Sequence, residues 1–222
     1  MGESKMKKQK VDTYVDFFYL VAKRFLDICF GCVGIIFFIL ACVLLFIPYK
    51  FGDNKGPIVF KQKRMGKFGE EFWIYKFRSM KVNADEILKS DQILYKKYID
   101  NGYKLEPSDD PRITTLGAFL RKTSIDEIPQ FVNVIKGEMS LVGPRPVVVE
   151  ELKEYEALGL LNDFTAMKPG ITGVWQTSGR SNVGYPERVY LELKYANNSS
   201  ILFDLKIIMK TILKVFVKEG AY

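Results

Sequence analysis

The sequence predicts an α+β chain, mainly helical. It has a membrane-embedded helix near the N-terminus, an amphipathic helix at the membrane interface near the C-terminus, and a small β-hairpin between them. Three observations predict this. Residues 28–47 run for twenty positions without a charge, and no second such run exists. Ile58-Val59-Phe60 and Phe72-Trp73-Ile74-Tyr75 are strand-like, with Gly66 and Gly69 available to turn the chain between them. Much of the remainder shows helical recurrence of apolar residues. At 222 residues, 48% apolar and 27% charged, the chain can bury a core and is not a disordered polymer.

Taken in order, residues 1–50 form a basic segment followed by the membrane helix, and residues 51–222 form one compact, membrane-associated domain without repeats. As a helix, the uncharged run is about 30 Å long, enough for a bilayer core. Six basic residues precede it (Lys5, Lys7, Lys8, Lys10, Lys23, Arg24) and six follow (Lys50, Lys55, Lys61, Lys63, Arg64, Lys67). Charge therefore favours neither a single-pass anchor nor a re-entrant helix with both ends in the cytoplasm. Cys29, Cys32 and Cys42 all lie within the run, which reads them as small hydrophobes rather than a disulfide framework or zinc site.

After the hairpin, helices are expected over 83–99, 116–122, 125–135, 147–158 and 186–195. Turn-rich breaks are expected at 143–146 and 169–184. From 201 to 217 the apolar residues Leu202, Leu205, Ile208, Met209, Ile212, Leu213, Phe216 and Val217 recur at helical spacing. Lys206, Lys210, Lys214 and Lys218 fall four apart on one side. A lysine stripe beside an apolar face suits a helix at headgroup level.

Histidine is absent, which excludes every mechanism that needs imidazole as base, relay or ligand. The net charge of +7 favours an anionic neighbour, either a polyanion or an acidic membrane surface. Basic residues interleave with aromatics from Phe60 to Phe77, but no helix-turn-helix, zinc-finger or RRM signature accompanies them, so no nucleic acid is expected.

The sharpest local feature is Ser124-Ile125-Asp126-Glu127-Ile128-Pro129-Gln130. Ser124 with Glu127 three residues later is a capping box, the simpler reading of both. The same placement allows chemistry. A carboxylate in a first helical turn stays ionised, which suits a nucleophile or a metal ligand, and a second carboxylate beside it can hold a cation or handle a proton. Lys76, Arg78, Arg112, Arg121, Arg145 and Arg180 are candidate phosphate or nucleotide clamps. Arg145 is stiffened between Pro144 and Pro146. Asp91, Asp109 and Asp110 are further candidates for a hard cation.

These residues fall into blocks. Lys23-Arg24-x-x-Asp27, Tyr75-Lys76-Phe77-Arg78-Ser79-Met80 and Asp109-x-Pro111-Arg112-x-Thr114-x-x-Gly117 come first. Leu120-Arg121-x-Thr123-Ser124-x-Asp126-Glu127-x-Pro129-Gln130 and Asn133-Val134-x-x-Gly137-x-Met139-Ser140-Leu141-Val142-Gly143-Pro144-Arg145-Pro146 follow. Lys168-Pro169-Gly170-Ile171-Thr172-Gly173, Trp175-Gln176 and Gly179-Arg180 complete the set. In this order they resemble the monotopic phosphoglycosyl transferases, or bacterial sugar transferases, from about Lys23 to the C-terminus.

The resemblance implies an enzyme on the cytoplasmic face of a bacterial inner membrane, with a re-entrant helix. It would pass a sugar 1-phosphate from a UDP-sugar to undecaprenyl phosphate and release UMP, in exopolysaccharide, capsule or glycan synthesis. It also implies Asp126 as a nucleophile carrying a covalent phosphosugar, Glu127 assisting, and Mg²⁺ at the diphosphate with Asp126 and Glu127 as its protein ligands. Residues 175–182 and 220–222 look most like hexose 1-phosphate transferases, favouring UDP-glucose or UDP-galactose. Relatives carry a Ser-Pro break in the membrane helix where this chain has Ile39-Leu40. A non-catalytic membrane adaptor, with Asp126 and Glu127 serving only as a cap, is the competing expectation.

Overall fold

The computed structural model describes residues 2–101, 105–106, 108–179 and 183–217, with the backbone alone at 2–16 and 215–217. Helix α1 spans Gly2–Leu45, and its stretch Phe17–Leu45 is long and apolar enough to cross a membrane. It runs unbroken through Ile39 and Leu40, neither of which removes a backbone donor.

One stripe of α1 is seated lengthwise on the rest of the chain. Lys23 Nζ reaches Asp204 at 2.8 Å and donates to the carbonyl of Val142, while Arg24 donates to the carbonyls of Val134 and Ile135. Asp27 accepts from Ser140 Oγ and Leu141 N. A Cβ on Gly31 would stand 2.6 Å from Ile135 Cδ1, and one on Gly34 would overlap the Phe131 ring. Phe38, Ala41, Cys42 and Leu45 then pack with Tyr49, Phe77 and Leu120. These positions recur every three or four residues, as one helix face requires. The opposite faces leave Phe18, Phe25, Ile36, Leu40 and Leu44 more than half exposed. The three cysteines are free thiols, Cys29 and Cys32 on the exposed surface.

The hairpin forms as expected, from β1 (Val59–Met65) and β2 (Glu71–Phe77), antiparallel with Lys61 opposite Tyr75 and Lys63 opposite Trp73. Gly69 takes φ +80° in its turn. The expected helix over 83–99 is two, α2 (Ala84–Ser90) and α3 (Gln92–Asp100). Asp91 divides them by accepting from the amides of Ile93 and Leu94, so it caps α3. Helix α4 (Thr115–Lys122) is capped by Thr114, whose Oγ1 accepts from Gly117 N at 2.9 Å.

The helix expected over 125–135 is a 3₁₀ turn at Ile125–Glu127 and then α5 (Gln130–Lys136), with Pro129 at the junction. The 147–158 stretch likewise splits, into a 3₁₀ turn at Val149–Glu151 and α6 (Leu152–Glu156). Helix α7 (Leu161–Thr165) follows.

A parallel pair of three-residue strands forms from β3 (Ser140–Val142), just before the expected break at 143–146, and β4 (Gly170–Thr172), which with α8 (Val174–Thr177) lies inside the stretch 169–184 where only turns were expected. A Cβ on Gly143 or on Gly170 would collide with the facing backbone, so only glycine lets these segments close. Helices α9 (Glu187–Asn198) and α10 (Ile201–Val217) complete the fold. Ile207 and Asp204 of α10 face inward, while Leu202, Met209 and Leu213 stand exposed beside Lys206 and Lys210. Lys218 lies outside the described residues. The chain is thus mainly helical with two small sheets, as the α+β reading required.

Candidate active site

The turn that carries the two carboxylates is not a capping box. Ser124 adopts φ +56°, ψ +16°, and its side chain caps nothing. Glu127 instead takes Lys76 Nζ at 3.0 Å from β2. The left-handed residue reverses the chain after α4 and lays the 3₁₀ turn against β2. Asn133 of α5 fixes the distance between them: its Oδ1 accepts from Tyr75 N, and its Nδ2 donates to the Trp73 carbonyl at 2.7 Å.

Asp126 is buried, with 8% of its surface exposed. Burial pushes its carboxyl up to about 6. Lys76, Arg121 and Arg145 pull the other way, and the neighbouring charge of Glu127 adds to the rise. Beside it opens a cleft lined by Arg64, Ile74, Lys76, Glu127, Gln130, Arg145, Pro146, Gly170, Ile171 and Gln176. Glu127 faces the cleft, and Asp126 sits one residue behind it.

Of the six cations expected to clamp phosphate, three gather here. Lys76 and Arg145 line the cleft, and Arg121 is close enough to feel both Asp126 and Arg145 while its Nε is held by Ser79 Oγ at 2.8 Å. Arg112 is buried in a two-pronged pair with Asp110, at 2.7 and 2.8 Å. Arg78 is turned away from the cleft, donating to the carbonyls of Pro57, Met80 and Asn54. It stitches the segment before β1 to the end of β2. Arg180 lies outside the described residues.

The aspartates expected to hold a cation are otherwise engaged: Asp91 caps α3, Asp109 pairs with Lys97 and Asp110 with Arg112. No group of three or more acidic or thiol side chains converges among the described residues. Asp126 and Glu127 remain as a carboxylate pair facing cations. Magnesium is commonly held by one or two carboxylates plus substrate phosphates and water, so this donor set fits it.

Arg64 was missed as a site residue, because in the sequence it is one more base in the Phe60–Phe77 stretch. Its place two residues after Gln62 puts it on the face of β1 opposite Lys61 and Lys63, the one positional signal that could have found it. Gln130 and Gln176 were visible only as members of motif blocks.

A family model described as bacterial sugar transferase matches residues 18–218, nearly the whole chain. The chain belongs to the bacterial sugar transferase family. Relatives of this sugar transferase include galactosyl transferase CpsE of Streptococcus agalactiae, 46% identical over 204 residues. That match covers 91% of this chain and 44% of the relative. The undecaprenyl-phosphate galactose phosphotransferase of Salmonella typhimurium is 42% identical over 204 residues, 90% of this chain and 41% of the relative. The exopolysaccharide production protein ExoY of Rhizobium meliloti is 39% identical over 203 residues, 91% of this chain and 88% of the relative. The chain thus spans about two fifths of the first two relatives and most of the third.

Proposed function

We propose that the chain transfers a sugar 1-phosphate from a UDP-sugar to undecaprenyl phosphate and releases UMP, at the cytoplasmic face of a bacterial inner membrane. The observation that carries this reading is the buried Asp126 beside Glu127, ringed by Lys76, Arg121 and Arg145, on a body seated along an apolar helix.

In the first step an Asp126 oxygen attacks the phosphorus that bears the sugar. The bond from that phosphorus to the bridging oxygen breaks, and UMP leaves with the electron pair. In the second, an oxygen of the polyprenyl phosphate attacks the same phosphorus, and the acyl phosphate bond breaks to restore the carboxylate. With its carboxyl at about 6, Asp126 is mostly ionised at neutral pH and poorly solvated, which suits a nucleophile. Lys76 holds Glu127 and places a positive charge at the cleft, while Arg121 and Arg145 face the charge that grows on the departing UMP. Mg²⁺ at Asp126 and Glu127 would neutralise diphosphate charge and ease the approach of an anion.

Three relatives carry galactose or galactosyl in their names and one carries glucose, which supports UDP-galactose ahead of UDP-glucose. The membrane arrangement we favour is monotopic, with the unbroken α1 lying within one leaflet and the body on that leaflet's side. Its support is the body packed along α1 from Lys23 to Leu45, about 33 Å of helix, rather than any break in the helix itself. A body carrying this many buried charges has no place across a bilayer.

The test is a burst experiment on the full chain in lipid nanodiscs with UDP-galactose or UDP-glucose and no acceptor. A burst of about one UMP per chain is expected from the wild type and none from Asp126→Asn. A wild type that releases UMP only after polyprenyl phosphate is added refutes the two-step scheme. An adaptor would keep its role in the variant.

A further inference from the structure

Behind the cleft lies a buried chain of alternating charges, Arg64, Glu151, Arg188 and Glu192, to which the proposed reaction gives no role, and it ends on the backbone of Arg145. Arg64 Nη1 stands 3.6 Å from Glu151, and Glu151 takes Arg188 Nη1 at 2.8 Å. Arg188 Nε stands 3.6 Å from Glu192, whose other oxygen accepts the backbone amide of Arg145 at 2.7 Å. Arg188 and Glu192 are almost wholly inaccessible, at 2% and 1% exposed. Buried charges of this kind persist only when paired. One end of the network is the Arg64 guanidinium and the other is the backbone amide of Arg145, and both residues line the cleft that holds Lys76 and Glu127.

The backbone ties the two ends together. Met65 N donates to the Val147 carbonyl at 2.9 Å, and Arg64 Nη1 reaches the Pro146 carbonyl at 3.5 Å, so the end of β1 runs beside the Pro-Arg-Pro turn. Arg64 Nε is buried without a hydrogen-bond partner among the described residues. Two carboxylates beside three guanidiniums leave one positive charge in excess, and two of the three guanidinium residues, Arg64 and Arg145, line the cleft. An anion with oxygens to offer both guanidiniums at once, such as a diphosphate, matches that arrangement.

We propose that Arg64 is a third guanidinium of the donor diphosphate site, beside Arg121 and Arg145, and that Glu151, Arg188 and Glu192 are positioning residues that hold Arg64 and Arg145 at a fixed separation. The inference rests on the donor reading above and adds a residue, a ligand group and a supporting frame to it.

The test uses the full chain in nanodiscs with two readouts: affinity for UDP, which cannot donate a sugar phosphate, and phosphosugar labelling by UDP-galactose or UDP-glucose. Arg64→Gln should weaken UDP binding at least tenfold. Arg64→Lys, which keeps charge but loses the fork, should fall between, and Glu192→Gln should raise KM for the donor severalfold more than it lowers kcat. A purely structural role would lower the melting temperature and leave the affinity of the folded chain unchanged. If the wild type is labelled but Arg64→Gln binds UDP as the wild type does, the inference is overturned and the donor reading stands. If the wild type neither binds UDP nor is labelled, the donor reading itself fails and takes the inference with it. Should Arg64→Gln fail to fold, Arg64→Lys decides alone: unchanged UDP affinity overturns the proposal, and a loss supports it.

Discussion

Replacing Asp126 by Asn should make the chain more stable while abolishing turnover. The two side chains are nearly the same shape, so the difference lies in the charge. The unfolded chain ionises this carboxyl near 3.8, whereas burial holds the folded one up to about 6. Below about pH 4 the group is protonated in both states and the substitution is close to neutral. Between 4 and 6 the folded chain binds a proton that the unfolded chain has lost, so the wild type loses stability as pH rises. Above about 6 the full difference stands, about 3 kcal/mol at roughly 1.4 kcal/mol per tenfold change in proton affinity. For a chain of this size that is roughly 6–12 °C in melting temperature. Melting curves of the wild type and Asp126→Asn at pH 4.5, 6 and 8 check it. A variant no more stable than the wild type at pH 8, or a gap that does not change with pH, refutes the claim that this carboxylate is held ionised against its surroundings.

Three further outcomes follow from the geometry. Single-turnover UMP release should show an acid limb near pH 6, and Lys76→Gln should move it upward because Lys76 is the strongest of the cations favouring the ionised form; a limb near 4 contradicts this. Arg78→Ala should destabilise by about 1–3 kcal/mol by removing the donor shared by three partly exposed carbonyls, yet leave UDP affinity of the folded chain within twofold, as calorimetry would read. Gly34→Leu should loosen α1 from α5 by about 1–3 kcal/mol, because the Phe131 ring occupies the space of a Cβ; unchanged hydrogen exchange at Phe131 and its neighbours counts against that packing.

Elements with a repeating signal were legible in the sequence. The uncharged run, the hairpin with its two glycines and the helix α10 all carry their period or their punctuation openly. What escaped depends on contacts between distant segments. Strands β3 and β4 are three residues each, too short for any alternation to register, and they exist because Gly143 and Gly170 admit each other's backbone. The stripe that seats α1 on the body was hidden because Gly31 and Gly34 look like any small residues in an apolar run. Within the site, Asp126, Glu127, Lys76, Arg121 and Arg145 were visible as residue types and motif members. That Glu127 would pair with Lys76 instead of capping with Ser124 was not, since a left-handed serine leaves no mark in sequence spacing. Arg78 and Arg112 looked equivalent to Arg145, and only their carbonyl and Asp110 partners separate them from it.

The most direct measurement is mass spectrometry of the full chain after brief exposure to a UDP-hexose without lipid acceptor, with digestion under conditions that spare acyl phosphates. The account predicts one added hexose phosphate, located on the Asp126 peptide and discharged when undecaprenyl phosphate is supplied. An unmodified Asp126 in a preparation that goes on to form polyprenyl-linked sugar at its full rate would contradict it.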